Sequence, residues 1–396
     1  MHLKRTPVIV VSLLLILMVM TFVQPAAAQD GKQVYAFYFG WWTNDSWGND
    51  ALTDHPQQLY DSRDPNALAH HIDQAKSAGI DAFIMSWFGP KNGNLTAGVF
   101  NMLLDQAAPR GFHVGAVVDM FQNDYNESTG AVLDSLRYLI GDRINHPAYL
   151  RYHGKPLIFF WNEARFSVEE WQNIRAQVDP NHNTIWVAEG TSAKYIPTFD
   201  GLYLFNTAWA SNPGATARQY LSKVQKAGGS FFIPTALPGW DETRVAARDG
   251  RKNPTAPKDR ANGAFLTKSW NGALSAGTDA ILVVSWNEYF ENSEVEPSQL
   301  YGSQALDTLR GLIGAWKGTG GGNTAAAAPP APTGKVVVPT TTVNVRAAPD
   351  KNSASLGKVE AGTALAFTDD SGDWFAVNFN GQQGYVSKKY ARIEQH

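Results

Sequence analysis

Glu288 and Glu291 stand three residues apart, just past the aliphatic run Ile281-Leu282-Val283-Val284. Such a run reads as a short buried strand. The chain continues Ser285-Trp286-Asn287-Glu288-Tyr289-Phe290-Glu291. In barrels and doubly wound α/β folds, chemistry gathers at the C-terminal ends of strands. If the backbone turns helically there, positions i and i+3 share a face and both carboxylates reach one substrate. Two carboxylates at one site are the minimum equipment for glycoside hydrolysis. The competing reading is a solvated loop with two acids, and the strand in front of it argues for catalysis.

Other side chains belong to the same argument. Asn287, beside the first acid, is placed to hold a sugar hydroxyl or to orient Glu288. Asp119 ends a strand, where a buried acid needs a purpose: sugar binding, or capping the next segment. Trp41, Trp42, Trp87 and Trp240 fall at the C-terminal ends of expected strands, and Tyr38 lies close by. At least two of these tryptophans are expected to line a groove. Asp241, Glu242 and Arg244 follow the seventh strand, either as a surface ion pair or with Arg244 positioning a carboxylate or hydroxyl. Glu296 has a weaker case, as a bond to the barrel rim. The chain has 13 Trp and 14 Tyr. Sugar rings stack on aromatic faces, although aromatics also fill any large core. His70 and His71 are neighbours within one helix and point apart, so they read as a packing pair. No HExxH, EF-hand loop or metal-spaced His/Asp cluster appears, and no Gly-x-Ser-x-Gly elbow. No metal or cofactor is expected.

The elements that must position these residues alternate regularly. Strands are expected at 34–39, 81–87, 113–118, 156–160, 184–188, 201–205, 230–235 and 280–285. Helices are expected at 65–78, 97–110, 129–141, 168–177, 215–227, 259–276 and 304–316. Asp64 before Pro65 is a good N-cap with proline in the first turn, and Ala78-Gly79 is a helix stop. The stretch 190–200 is too short for a long helix. Eight strands in βα alternation predict a (β/α)8 TIM barrel over 29–317. A doubly wound open sheet is the rival, weakened because no phosphate-cradling glycine loop follows the first strand. Residues 318–334, GTGGGNTAAAAPPAPTG, read as a linker. Residues 335–396 follow as a small all-β module, with a hairpin signal at Asn380-Gly381.

Residues 1–28 read as a signal peptide: Lys4 and Arg5, an apolar stretch from Val8 to Val23, then Ala26-Ala27-Ala28. A retained membrane anchor competes, but the apolar run is short for a span. The expected location is secreted, cell-surface or periplasmic. The chain has 396 residues and no cysteine, which removes disulfides, thiol nucleophiles and thiolate metal sites. Without residues 1–28, 31 basic residues face 36 acidic ones, so a nucleic-acid partner is not indicated.

Several segments together resemble glycoside hydrolase family 99, the endo-α-mannosidase/endo-mannanase family, and its relatives linked to polysaccharide loci. They are Tyr35–Trp42; His71–Trp87, containing Ala78-Gly79-Ile80-Asp81 and Ser86-Trp87; His146-Pro147-Ala148-Tyr149 with Gly154-Lys155-Pro156; Pro238–Arg244; and Ser285–Glu291 with Glu296-Pro297. The last two are the specific ones. The resemblance implies a retaining mechanism through a 1,2-anhydro sugar, with Glu288 as the base on the sugar 2-hydroxyl and Glu291 as the acid/base. There are departures: Phe290 replaces the family's usual histidine, Asn-Ser-Glu-Val-Glu follows Glu291, and Asp119 replaces a longer acid. The tail resembles bacterial SH3-type domains through Asn344-Val345-Arg346, Trp374 and Gly384-Tyr385-Val386, with Ala347-Ala348-Pro349 departing from the usual loop.

These readings converge on a secreted glycoside hydrolase acting on an α-mannoside-like or related polysaccharide, with a wall- or glycan-binding tail. A non-catalytic glycan-binding surface protein, and a barrel hydrolase of other linkage specificity, remain the alternatives.

Overall fold

Alternation within single strands builds this molecule. In strand β1 (Gln33–Phe39), Tyr35, Phe37 and Phe39 enter one apolar cluster, while Val34, Ala36 and Tyr38 enter another. Successive strand residues point to opposite faces, so a strand apolar at every position must be covered on both. The computed structural model describes residues 31–319, except 92 and 122–124, and residues 335–395, except 360, 380 and 381. The expected signal segment, and the linker beyond residue 319, lie outside the described residues.

The barrel strands are β1, β2 (Ala82–Trp87), β3 (His113–Asp119), β4 (Lys155–Trp161), β5 (Ile185–Glu189), β6 (Gly201–Tyr203), β7 (Phe231–Ile233), β8 (Thr235–Ala236) and β9 (Ala280–Val283), with the two-residue strand Arg151–Tyr152 antiparallel beside β4. They pair in parallel in the order β7-β6-β5-β4-β3-β2-β1-β9-β8. β7 and β8 are one run split at Pro234, which has no N–H to give to a ladder. The run pairs with β6 at its start and with β9 at its end, so nine segments act as eight staves and the ring closes. Gly201 permits the tightest approach: a Cβ there would stand 1.8 Å from the Phe231 carbonyl oxygen.

Helices α1 (Pro65–Ser77), α2 (Leu95–Ala107), α3 (Thr129–Gly141), α4 (Val168–Val178), α5 (Pro213–Lys226), α6 (Thr243–Arg248), α7 (Ala264–Leu274) and α8 (Gln304–Lys317) lie between and after the strands. Asp64 caps α1, accepting from Asn66 N at 2.9 Å. Gly79, at φ +87°, turns the chain back toward β2. The expected (β/α)8 barrel is therefore the fold. As expected, no long helix joins β5 to β6; a three-residue turn, Ala193–Tyr195, does. Two elements differ from expectation. α7 begins at Ala264 rather than 259, because Asn262 and Gly263 take positive φ just before it. The short α6, with its Ala246-Ala247 pair, was not anticipated.

Two apolar layers result. Tyr35, Phe37, Val117, Phe159, Val187 and Tyr203 fill the barrel interior. Tyr38, Phe83, Trp87, Phe160 and Trp186 pack outward against the helices. The C-terminal segment is a separate antiparallel sheet: β10 (Lys335–Pro339), β11 (Val343–Arg346), β12 (Ser355–Val359), β13 (Leu365–Ser371), β14 (Trp374–Phe379), β15 (Gln382–Ser387) and β16 (Ala391–Gln395). Val337, Val345, Phe375, Val377 and Val386 form its core.

Candidate active site

A cavity of about 440 Å³ opens at the C-terminal ends of the barrel strands, and Glu288 and Glu291 both line it. The loop after β9 is pinned on either side of Glu288. The Ser285 hydroxyl accepts from Glu288 N at 2.8 Å and meets Ser293 Oγ at 3.1 Å. Glu288 Oε1 accepts from Phe290 N at 3.0 Å, closing a tight local turn that brings Glu291 round to the same cavity. Glu291 Oε2 has no hydrogen-bond partner among the described residues.

Burial dominates the electrostatics of this pair. It pushes the Glu288 carboxyl well above the usual carboxylate range, against the hydrogen bond from Phe290 N and the attraction of Arg248. Glu291 is pushed up further, first by burial and then by the neighbouring Glu288 charge. Two close carboxyls in a poorly hydrated site do not ionise together, so one keeps its proton. Asp119 stands across the cavity. Its Oδ2 accepts from Ser86 Oγ at 2.7 Å and its Oδ1 from Phe121 N at 2.8 Å. Burial outweighs both bonds and raises its pKa to about 6.

The rest of the lining is aromatic or cationic. Phe37, Phe39, Trp41, Phe88, Phe121, Trp161, Phe205 and Phe290 supply rings. Trp41 lies parallel to Phe88 with centroids 6.1 Å apart, and its indole N–H has no partner among the described residues. Arg248 lies over the Phe290 ring at 4.8 Å, and Arg251 is held by Glu242 at 2.6 Å. Apart from the indoles of Trp41 and Trp161, every polar side chain lining this cavity is ionisable. Among the described residues no three His, Asp or Glu side chains gather at metal-binding spacing.

Glu288, Glu291, Asp119 and Trp41 thus line one cavity. The other expected residues lie elsewhere, for reasons the strands supply. Tyr38 and Trp87 have the outward phase of β1 and β2. Tyr38 packs on Phe83 and bonds His71 Nδ1 at 3.0 Å; Trp87 packs against Phe100 and Tyr138. Trp240 is buried behind Phe205, with ring centroids 6.1 Å apart, and backs the lining rather than forming it. Asp241 turns on itself, accepting from Thr243 N at 3.0 Å, and touches the site only through its backbone N, which donates to Glu291 O at 2.8 Å. Arg244 donates to Leu52 O at 2.9 Å; Arg248, one turn further along α6, reaches the cavity instead.

Asn287 is fully buried and does not line the cavity. Its Oδ1 accepts from Phe39 N at 2.8 Å, and its Nδ2 donates to Phe39 O at 2.9 Å and Tyr60 OH at 3.0 Å. It ties the loop to the end of β1, so of its two expected roles the geometry supports orientation. Behind it runs a buried polar chain. Tyr60 OH and Tyr289 OH approach Glu296 Oε2 at 3.3 and 2.9 Å, and Glu296 Oε1 meets His71 Nε2 at 3.0 Å. Burial and the Glu296 charge raise both tyrosine hydroxyls, so they remain donors.

The sequence pattern of glycosyl hydrolase family 99 matches residues 44–308. The chain belongs to this family. A bacterial SH3 domain pattern matches residues 341–391. A mouse glycoprotein endo-α-1,2-mannosidase-like protein is 24% identical over 271 residues, covering 61% of this chain and 58% of that protein. The rat glycoprotein endo-α-1,2-mannosidase is 22% identical over 259 residues, covering 60% of this chain and 54% of that protein. The chain thus spans little more than half the length of these curated relatives. Among solved structures, the family 99 endo-α-mannosidase of Bacteroides thetaiotaomicron superposes with a TM-score of 0.61 at 22% identity, over 73% of this chain and 99% of that one. A form of that protein in complex with bis-tris-propane gives 0.63 at 23% identity, over 72% and 98%. The structural likenesses show the barrel fold of this chain.

Sequence reasoning missed Phe37, Phe39, Trp161, Phe205, Arg248 and Arg251 as family 99 cavity residues. For the four aromatics a signal was present: each has the inward phase of its strand or of that strand's continuation. The two arginines follow from α6, which carried no strong signal.

Proposed function

We propose that this chain is an exported glycoside hydrolase that cleaves α-mannosidic or closely related linkages of a polysaccharide with retention of configuration. The observation that carries the reading is the Glu288/Glu291 pair, two unsalted carboxyls with raised pKa values in an aromatic cavity at the strand ends. The mannosidase relatives support the sugar, and the aromatic lining suits stacked sugar faces.

The step follows from the pair's ionisation. Glu288, once ionised, takes the proton of the sugar 2-hydroxyl, and O2 attacks the anomeric carbon from the face opposite the leaving group. The bond from that carbon to the leaving oxygen breaks as Glu291 delivers its proton to that oxygen. In the second half, water adds to the anomeric carbon and gives its proton to Glu291, while the opened O2 regains its proton from Glu288. Each carboxyl returns to its starting state and configuration is retained. Asp119 is placed across the cavity to accept a sugar hydroxyl. The C-terminal sheet acts as a wall- or glycan-binding module, and residues 1–28 direct export.

The test is product release from a panel of α-mannans and bacterial wall polysaccharides, with wild type and the Glu288→Gln/Glu291→Gln double variant. Oligosaccharides from wild type alone, with a retained anomer by proton NMR, are expected. Binding of these glycans without product from any of them would establish a non-catalytic glycan-binding protein instead. Product from another polymer only would replace the mannoside.

A further inference from the structure

A second cavity, of about 380 Å³, lies outside the barrel mouth between the segment around Tyr60, helix α1 and the end of the loop after β9. That volume falls within the range of small-ligand sites, about 300–1,000 Å³. Its chemistry inverts that of the catalytic cavity. Its rim is built from neutral hydrogen-bonding side chains, Gln57, Gln58, Asn66, His70 and Gln74. None of the five side chains bonds to the protein among the described residues, so their donors and acceptors are free for a ligand. The floor is polar but already balanced: His71 and Glu296 pair at 3.0 Å, both buried. Asp64 is engaged as the cap of α1. No lysine or arginine lines the cavity, so an anion finds no cationic partner there; the exposed lining also includes Leu59 and the ring of His70.

We propose that this cavity is a second glycan-binding site that takes a neutral sugar unit. Free amides supply a donor and an acceptor each, which is what neighbouring sugar hydroxyls require. One loop forms a wall of both cavities, with Glu288 and Glu291 on one side and Glu296 and Pro297 on the other. A glycan held here is anchored beside the loop that carries the acids. The choice of probe, though not the site, rests on the mannoside reading above.

The experiment is calorimetric titration of the full-length Glu288→Gln/Glu291→Gln protein with α-1,2-mannobiose, maltose, cellobiose and soluble yeast mannan. It is repeated after adding Gln57→Ala/Gln74→Ala, and separately after adding Trp161→Ala. With at least one disaccharide, the glutamine changes are expected to weaken one binding event tenfold or more, while Trp161→Ala weakens a different one. Mannan binding without disaccharide binding, lost on the glutamine changes, assigns the site to polymer rather than a single unit. Unchanged binding by the Gln57→Ala/Gln74→Ala protein, with thermal unfolding like its parent's, overturns the site. So does the absence of binding by every probe. Product release by wild type with no second binding event sinks this site and spares the proposed function; binding lost on the glutamine changes, with no product, does the reverse.

Discussion

The loop from 288 to 296 carries four glutamates, and it divides them in two. Glu296 meets His71, and Glu294 meets Arg260. Glu288 and Glu291 meet no cation in an ion pair among the described residues and face an aromatic cavity. A guanidinium or imidazole partner offsets desolvation and commits a carboxylate to one geometry; without one the buried carboxyl holds its proton and stays available. Glu294 marks the limit of the contrast. Burial pushes it up to about 7 although Arg260 pulls the other way, and its Oε2 has no hydrogen-bond partner among the described residues. Within one loop, then, the pairing of each acid separates chemistry from scaffold more clearly than its burial does.

The largest effects test that division directly. Glu291→Gln removes the proton donor, so kcat on poor leaving groups is expected to fall by about 10²–10⁴-fold. Activated leaving groups lose less, because they need no proton. The wild-type pH profile is expected to have its acidic limb above the ordinary carboxylate range, since burial raises Glu288. Glu291→Gln removes the alkaline limb. The same variant removes no ion pair, so it is expected to be no less stable than wild type, and to gain on it as pH rises because burial raises Glu291. An unchanged rate on poor leaving groups would falsify the acid assignment. Glu296→Leu inverts the pattern. It leaves His71 buried without its partner and removes the acceptor of Tyr60 and Tyr289, so unfolding stability should drop by about 3–5 kcal/mol in urea titration. A stable, fully active Glu296→Leu protein would break the comparison.

Much of the barrel was legible because its signals are local: caps such as Asp64, stops such as Gly79, and short β-branched runs. The acids were legible because they follow a recognisable strand. What was not legible is which way each residue points. Trp87 and Trp161 both end barrel strands, and residue type alone ranks them equally. Phase separates them: Ser86 turns inward to Asp119, so Trp87 turns outward, whereas Trp161 continues the inward series of Leu157 and Phe159. Arg248 and Arg251 depend on a six-residue helix and a long-range contact with Phe290, which no local pattern encodes. Trp87→Ala should therefore cost about 3–5 kcal/mol of stability. Trp161→Ala should act mainly on KM and ligand affinity. Equal stability losses from both, with no effect of Trp161→Ala on KM, would remove the phase argument.

Glu163 and Glu189 sharpen the comparison from outside the loop. Glu163 is buried and Glu189 largely so; neither forms an ion pair among the described residues or lines the catalytic cavity. Burial raises Glu163 to about 8, with help from the Glu189 charge, and raises Glu189 itself to about 7. In the unfolded chain both titrate near the ordinary value, about 4.3. Between that value and the folded one, the unfolded chain has released protons that the folded chain retains. The unfolded state then binds fewer protons, so stability falls as pH rises from about 4 to about 8. Asp119, Glu288, Glu291 and Glu294 add to wild type with the same sign, so the informative quantity is the difference between wild type and Glu189→Gln. That variant has nothing to ionise at the site. It should match wild type at pH 4.5 and exceed it by on the order of 2 kcal/mol at pH 8, measured as urea midpoints. If instead it is the less stable protein at pH 8, burial does not hold protons on unpaired acids in this barrel. The raised pKa values of Glu288 and Glu291, which rest on the same desolvation, would then lose their support as well.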